Sequence, residues 1–205
     1  MNSITGILMS VVLVLVAITI HELAHGYAAY KLGDPTAKSQ GRLTLNPLAH
    51  LDPIGALLML VVGFGWAKPV PVNPFYFKGD RQKGMMIVSF AGPLANLLLA
   101  VVLAAVLNLT FNGQYTLLTN ILLQGMSLNV MLAVFNLIPI PPLDGSKILA
   151  GLLPKDISYR YMRVLDQYGF IILFALIIFN VTDMFLQPII QFVLNGLIML
   201  TSFLG

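Results

Sequence analysis

The chain has 205 residues, 58% of them hydrophobic and 9% charged, with a mean hydropathy of +0.90. So little polar surface excludes an ordinary soluble domain and points to a chain embedded in a bilayer. Cysteine is absent, which excludes a disulfide framework and a thiolate metal site, and the 11 Lys and Arg are spread through short loops rather than gathered in a nucleic-acid-binding tract.

No Lys or Arg precedes Lys31, so the N-terminus lacks the basic start of a cleavable signal, and the apolar run from Ile4 to about Leu32 is too long for a signal core. It reads as a retained span. A hydrocarbon core of about 30 Å needs roughly 20 apolar residues as helix. Five stretches meet or approach that length: about 4–32, 85–108, 116–138, 165–181 and 184–204. The first ends at Gly33-Asp34-Pro35, a glycine stop followed by proline. Asn180-Val181-Thr182-Asp183 leaves only a tight turn between the last two.

A sixth apolar run, Ile54 to Trp66, has the length of a re-entrant or interfacial segment rather than a span. Charge favours re-entry. If this run does not cross, the loops at 31–53, 67–84 and 139–164 share one side and hold every Lys and Arg of the chain. If it crosses, that pattern breaks. The positive-inside rule then sets the N-terminus outside and the C-terminus in the cytoplasm. The next segment, Gly65-Trp66-Ala67-Lys68-Pro69-Val70-Pro71-Val72-Asn73-Pro74, cannot form a regular helix through its prolines. An interfacial loop and a short extended or β element are both open readings. The expected fold is all-α and integral to the membrane, with about five transmembrane helices, the re-entrant segment and that element. Residues 1–205 read as one membrane domain, with a catalytic core over about 4–150 and two further helices over about 165–204.

Within the first span, His21-Glu22-Leu23-Ala24-His25 is an HExxH pattern. Residues four apart share a helix face, so two imidazoles can converge on one zinc ion while Glu22 reaches a water as general base. Five letters can match by accident, and polar groups near a helix end can snorkel. Against that, Glu22 is the chain's one Glu, and the pattern uses two of its 3 His. Ionisable groups inside a membrane helix usually mark function. A catalytic zinc ordinarily has three protein ligands and an open position. Without Cys, the third must be His50 or one of the Asp residues. Asp144 stands out in Asn136-Leu137-Ile138-Pro139-Ile140-Pro141-Pro142-Leu143-Asp144-Gly145, where prolines break the 116–138 span at the same side as HExxH. An isolated Asp-Gly would more often be a helix-end turn.

HExxH in one span with N-x-x-P-x-P-x-L-D-G in a later one resembles the site-2 protease family of intramembrane zinc metalloproteases. Asn46–Gly55, Gly65–Pro74 and Ala91–Asn96 resemble its short subgroup without a PDZ domain. The likeness runs from about residue 15 to 150; the last two spans rest on hydropathy. It implies that His21, His25 and Asp144 bind one Zn²⁺ and that Glu22 activates water. Asn136 matches a family Asn held to contact the substrate backbone, with a helix–helix hydrogen bond as the plain alternative. Gly92 and Asn96 match a Gly-x-x-x-Asn motif that makes Asn96 a candidate substrate contact, with close helix packing an equal alternative. Asn73, on the Pro69–Asn73 edge, is a further candidate substrate contact. His50 and Asp52 read equally as groups behind the ligands or as a turn beside Pro53.

The implied activity is hydrolysis of peptide bonds within or near transmembrane segments of membrane-protein substrates. A zinc transporter and an inactive protease-like scaffold are the alternatives. The partners are a substrate with a transmembrane helix and the lipid bilayer, not nucleic acid; the expected location is a prokaryotic plasma membrane, with the active site opening to the cytoplasm.

Overall fold

The computed structural model describes residues 4–55 and 67–204, with side chains at 5–55, 67–180 and 184–203. Helix α1 spans Ile4–Lys31, the short α2 Thr36–Ser39, α3 Arg81–Thr110, α4 Leu117–Asn136, α5 Asp144–Leu152, α6 Lys155–Ile178 and α7 Val181–Thr201. Helices α1, α3, α4, α6 and α7 are long and apolar enough to cross a membrane. Their outward faces carry large apolar side chains such as Leu8, Val12, Leu98 and Val102, which suit lipid rather than water. The chain is therefore an integral membrane protein.

The elements stop where the chemistry demands. At the end of α1, Gly33 has φ +109°, its N–H bonds Tyr30 O, and the Asp34 N–H reaches back to Ala29 O. This pair of bonds satisfies the last carbonyls and needs a residue free to take positive φ. The Asp80 carboxylate accepts from Lys83 N–H and caps α3. Thr116 and Thr119 form a reciprocal cap at the start of α4.

Helices α3 and α4 form the tightest pair, with α1 packed on α3. Small residues make this approach possible: Ala17, Ala100, Ala104 and Ala133 are all fully buried. Helix α7 packs along both α3 and α4, adding Ile190, Leu194 and Leu197 to the core around Ala100, Met126 and Val130. The basic loops gather at one end of this bundle. There Lys155 pairs with Asp80, and the Gln82 side chain bonds Ala150 O and Leu153 O.

The last two helices take a different path from the one expected. Asn108, near the far end of α3, donates to Thr201 Oγ1 at 2.6 Å, so α7 finishes beside the 111–116 turn. Helix α6 starts next to Asp80 and rests mainly on α5 and α7. Tyr161 donates to Pro139 O, and Gly169 lies against Pro141. Helix α6 thus runs across the loop after α4. The two described ends of the chain fall at the same end of the bundle, whereas charge and hydropathy set them on opposite sides. The first half of α6 carries Lys155, Asp156, Arg160, Arg163 and Asp166, a run that would be costly to submerge.

No strand forms among the described residues; Leu51 and Ala67 make one isolated antiparallel bridge. Prolines 69, 71 and 74 have no N–H to give a ladder. The Lys68, Val70 and Asn73 N–H groups are committed to His50 O, Glu22 and Asp34 respectively. The expected β element is therefore extended backbone without a sheet. Most of the expected re-entrant segment, residues 56–66, lies outside the described residues.

Candidate metal centre

His21 and His25 leave one face of α1, a helical turn apart, and meet α3 at Gly92. A Cβ on Gly92 would stand 2.4 Å from His25 Nε2 and 2.7 Å from His21 Cε1, so a side chain here would collide with both rings. Each ring is held through Nδ1. That of His25 lies 2.7 Å from Val88 O. A carbonyl cannot donate, so a proton sits on Nδ1, and in the neutral ring Nε2 keeps its lone pair. His21 Nδ1 lies 2.6 Å from Asn96 Oδ1. The Asn96 nitrogen donates to Ala17 O and Asn129 Oδ1 at 3.1 and 2.8 Å, which leaves its oxygen to accept from His21.

Asp144 arrives from the opposite wall. Helix α4 ends at Asn136, the proline loop turns the chain, and α5 begins at Asp144. A Cβ on Gly145 would lie 2.2 Å from Leu137 O, a fit that tucks the start of α5 under the end of α4. Ser146 locks the turn by donating to Leu143 O.

These elements bring three side chains together, all buried. The two Nε2 atoms are 2.9 Å apart, and Asp144 Oδ2 is 3.1 Å from His21 Nε2 and 3.2 Å from His25 Nε2. Two lone pairs and a carboxylate this close repel one another unless a cation stands among them. Nitrogen and oxygen ligands of tetrahedral zinc sit roughly 3.3 Å apart, from bond lengths of about 2.0–2.2 Å. The observed spacings fall a few tenths of an ångström inside that, so the trio fits a metal ion.

Glu22 stands beside this group without joining it. Its Oε2 accepts from the Val70 N–H at 2.8 Å. A cleft of about 390 Å³ opens here, lined by the trio, Glu22, Val70, Val72, Ser89, Asn136 and Lys147 among others. Of the other anticipated residues, Asn136 lines the cleft and donates to Leu132 O. Asn96 is fully buried behind His21 and does not line it. Asn73 lies outside the cleft: its side chain accepts from Phe75 N–H, and its own N–H donates to Asp34. His50 is buried, with Nε2 against Thr44 O, and Asp52 caps the turn at Ile54 and Gly55. Neither reaches the trio.

Three features of the site were not anticipated: the Val88 carbonyl on His25, the Val70 N–H on Glu22, and Asn129 behind Asn96. The main-chain groups leave no trace in residue type. Asn129 did leave one, an amide inside an apolar helix that must find partners.

Comparison with known proteins agrees with this picture. A profile described as Peptidase family M50 matches residues 9–122 and 112–176. "Putative zinc metalloprotease YwhC" of Bacillus subtilis is 44% identical over 188 residues, covering 88% of this chain and 85% of that protein. "Putative zinc metalloprotease Rip2" of Mycolicibacterium smegmatis is 33% identical, over 80% of this chain and 64% of its own length. "Zinc metalloprotease MJ0392" of Methanocaldococcus jannaschii is 29% identical, over 84% of this chain and 43% of its own length. No solved structure matches. A helical membrane bundle with this motif pair and these relatives belongs to peptidase family M50, the site-2 protease family.

Proposed function

We propose that this chain is an intramembrane zinc metalloprotease that hydrolyses peptide bonds within or near transmembrane segments of membrane proteins. The observation that carries the reading is the convergence of His21 Nε2, His25 Nε2 and Asp144 Oδ2 in one cleft with Glu22. His21, His25 and Asp144 would hold the metal. Zinc in such a ligand set supplies Lewis acidity and lowers the pKa of a bound water to about 7.

The chain's own groups do the rest. Glu22 accepts a proton from the attacking water and later returns it to the leaving amine. The Val70 N–H holds Oε2, which fixes the carboxylate plane and leaves Oε1 for the water. Asn136 spends one amide hydrogen on Leu132 O and keeps a carbonyl and a second hydrogen to offer a substrate main chain. A substrate helix shields its own peptide groups, so it must unwind before it is cut. Val72 lines the cleft and has its N–H uncommitted among the described residues. An unwound substrate could bond there as an added strand. Asn73, committed to Asp34, supports this edge from outside the cleft.

The orientation we propose has the N-terminus outside and the site opening to the cytoplasm, because the basic loops share one end. Glu22→Gln tests the assignment. The variant keeps its zinc and loses cleavage of a membrane-protein substrate by about 10²–10⁴-fold. A zinc transporter would carry zinc at an unchanged rate in that variant, and an inactive scaffold would show no cleavage in either form. Undiminished cleavage by Glu22→Gln would overturn the mechanism.

A further inference from the structure

Behind the metal centre runs a chain of amides that no metal ligand requires to be there. Asn96 on α3 and Asn129 on α4 are 0% and 2% exposed. Burying an amide in an apolar bundle is costly unless every donor and acceptor is met. Here each amide nitrogen and oxygen has a partner, and in one orientation only. Asn129 Nδ2 donates to Gly125 O at 2.8 Å. A carbonyl can only accept, so the Asn129 amide cannot be turned round without facing oxygen to oxygen. Its Oδ1 must then point to Asn96, where it accepts from Nδ2 at 2.8 Å. That sets Asn96 Oδ1 toward His21 Nδ1, 2.6 Å away. The imidazole proton is therefore held on Nδ1, and the Nε2 lone pair is presented to Asp144 and His25.

We infer that Asn129 is a positioning residue for the metal centre: it fixes the Asn96 amide and, through it, the tautomer of His21. The inference rests on the metal-centre reading above. The Ala17 carbonyl does not make Asn129 redundant. It stands 3.1 Å from Asn96 Nδ2, and as a carbonyl inside α1 it already accepts from the amide four residues on. Without Asn129, one Asn96 hydrogen has no partner in a site closed to water. The Ala17 carbonyl still opposes a flip, but with that one anchor left the amide is free to tilt, which weakens the acceptor that holds His21. His25 is independent of this chain, because its Nδ1 proton goes directly to Val88 O. Loss of Asn129 should therefore loosen one ligand of the two.

The test uses the purified full-length protein loaded with zinc, and chelator competition to read its affinity. Asn129→Leu and Asn129→Ala should each lower zinc affinity ~10-fold, the lower end of what outer partners of metal ligands contribute. The Ala variant, with its high helix propensity, covers the case in which Leu is too bulky to fold. A second readout is the nitrogen resonances of isotope-labelled histidine after zinc removal, assignable because the chain has 3 His. The His21 signals should shift from the Nδ1–H tautomer toward a mixture, while those of His25 stay. A general loss of packing would move both. His21→Ala serves as the control. If it releases zinc while both Asn129 variants match the wild type, the inference is overturned and the metal-centre reading stands. If His21→Ala also retains zinc with undiminished affinity, the metal-centre reading falls and the inference falls with it.

Discussion

Gly92 shows how a single residue sets the limits of the site. Its Cβ position is filled by the imidazoles of His21 and His25, the nearest atom 2.4 Å away. Helix propensity alone would make Gly92→Ala a stabilising change of about 1 kcal/mol. We expect the opposite functional outcome: the methyl group displaces both rings, and zinc affinity falls about 10- to 100-fold while the helical circular dichroism is kept. A variant that binds zinc normally would show that the two rings can move aside. His21, Glu22 and His25 were legible as a chemical unit because spacing on a helix dictates a shared face. Gly92 was legible only as a small residue in a motif. Whether it served helix packing or made room for the two imidazoles depended on which side chains of α1 lay across from it.

At the scale of elements, the extended segment from Ala67 to Asn73 owes its shape to partners distant in sequence. Arg42 donates to Lys68 O, Val70 is tied to Glu22, and the Asp34 carboxylate, 0% exposed, accepts from both Asn73 N–H and Thr36 N–H. Asp34→Ala leaves those donors without a partner. It should lower stability by about 1–3 kcal/mol, and limited proteolysis should show earlier cutting near residues 67–76. Asp34→Asn keeps one acceptor oxygen and should lose less. Asp80 presents a pH-dependent version of the same logic. The backbone N–H of Lys83, followed by Lys155, holds its carboxyl below the ordinary carboxylate range. A depressed folded pKa means stabilisation that is present above the unfolded value and lost as pH falls through the folded one. The melting-temperature deficit of Asp80→Ala should therefore be full at pH 7 and shrink as pH drops below about 4. A deficit unchanged by acid would show that the charge contributes nothing to the cap. The prolines announced an extended segment, but its lack of a sheet followed from where the remaining N–H groups found acceptors.

At the scale of the whole molecule, the basic loops collect at one end of the bundle and the 111–116 turn lies at the other. With no native cysteine in the chain, single-cysteine labelling is clean. In intact cells, an impermeant maleimide should label a cysteine placed at Gln114 and leave one at Lys38 protected. A cysteine at Ser202 should label with Gln114, because Thr201 is bonded to Asn108. Labelling of Ser202 together with Lys38 would instead mean that α6 crosses the bilayer and α7 returns. Hydropathy found both helices, because an apolar stretch of sufficient length is a local property. It could not find the path of α6, since a charged first half and an apolar second half are compatible with a crossing or with a helix laid across the loop at Pro139–Pro141.

The sequence by itself determined that the chain lives in a membrane and that its helices begin and end where caps, glycines and prolines allow, and its motif pair carried the resemblance to the site-2 protease family. The first two are matters of composition, periodicity and local spacing, each readable within a short stretch of chain. The tertiary structure alone decided how Asp144, already singled out by its proline loop, reaches His21 and His25, that Asn96 stands behind His21 rather than in the cleft, and that main-chain groups of Val70 and Val88 hold Glu22 and His25. Those outcomes depend on which helix faces which, and on carbonyls and N–H groups that every residue carries, so residue type alone does not settle them.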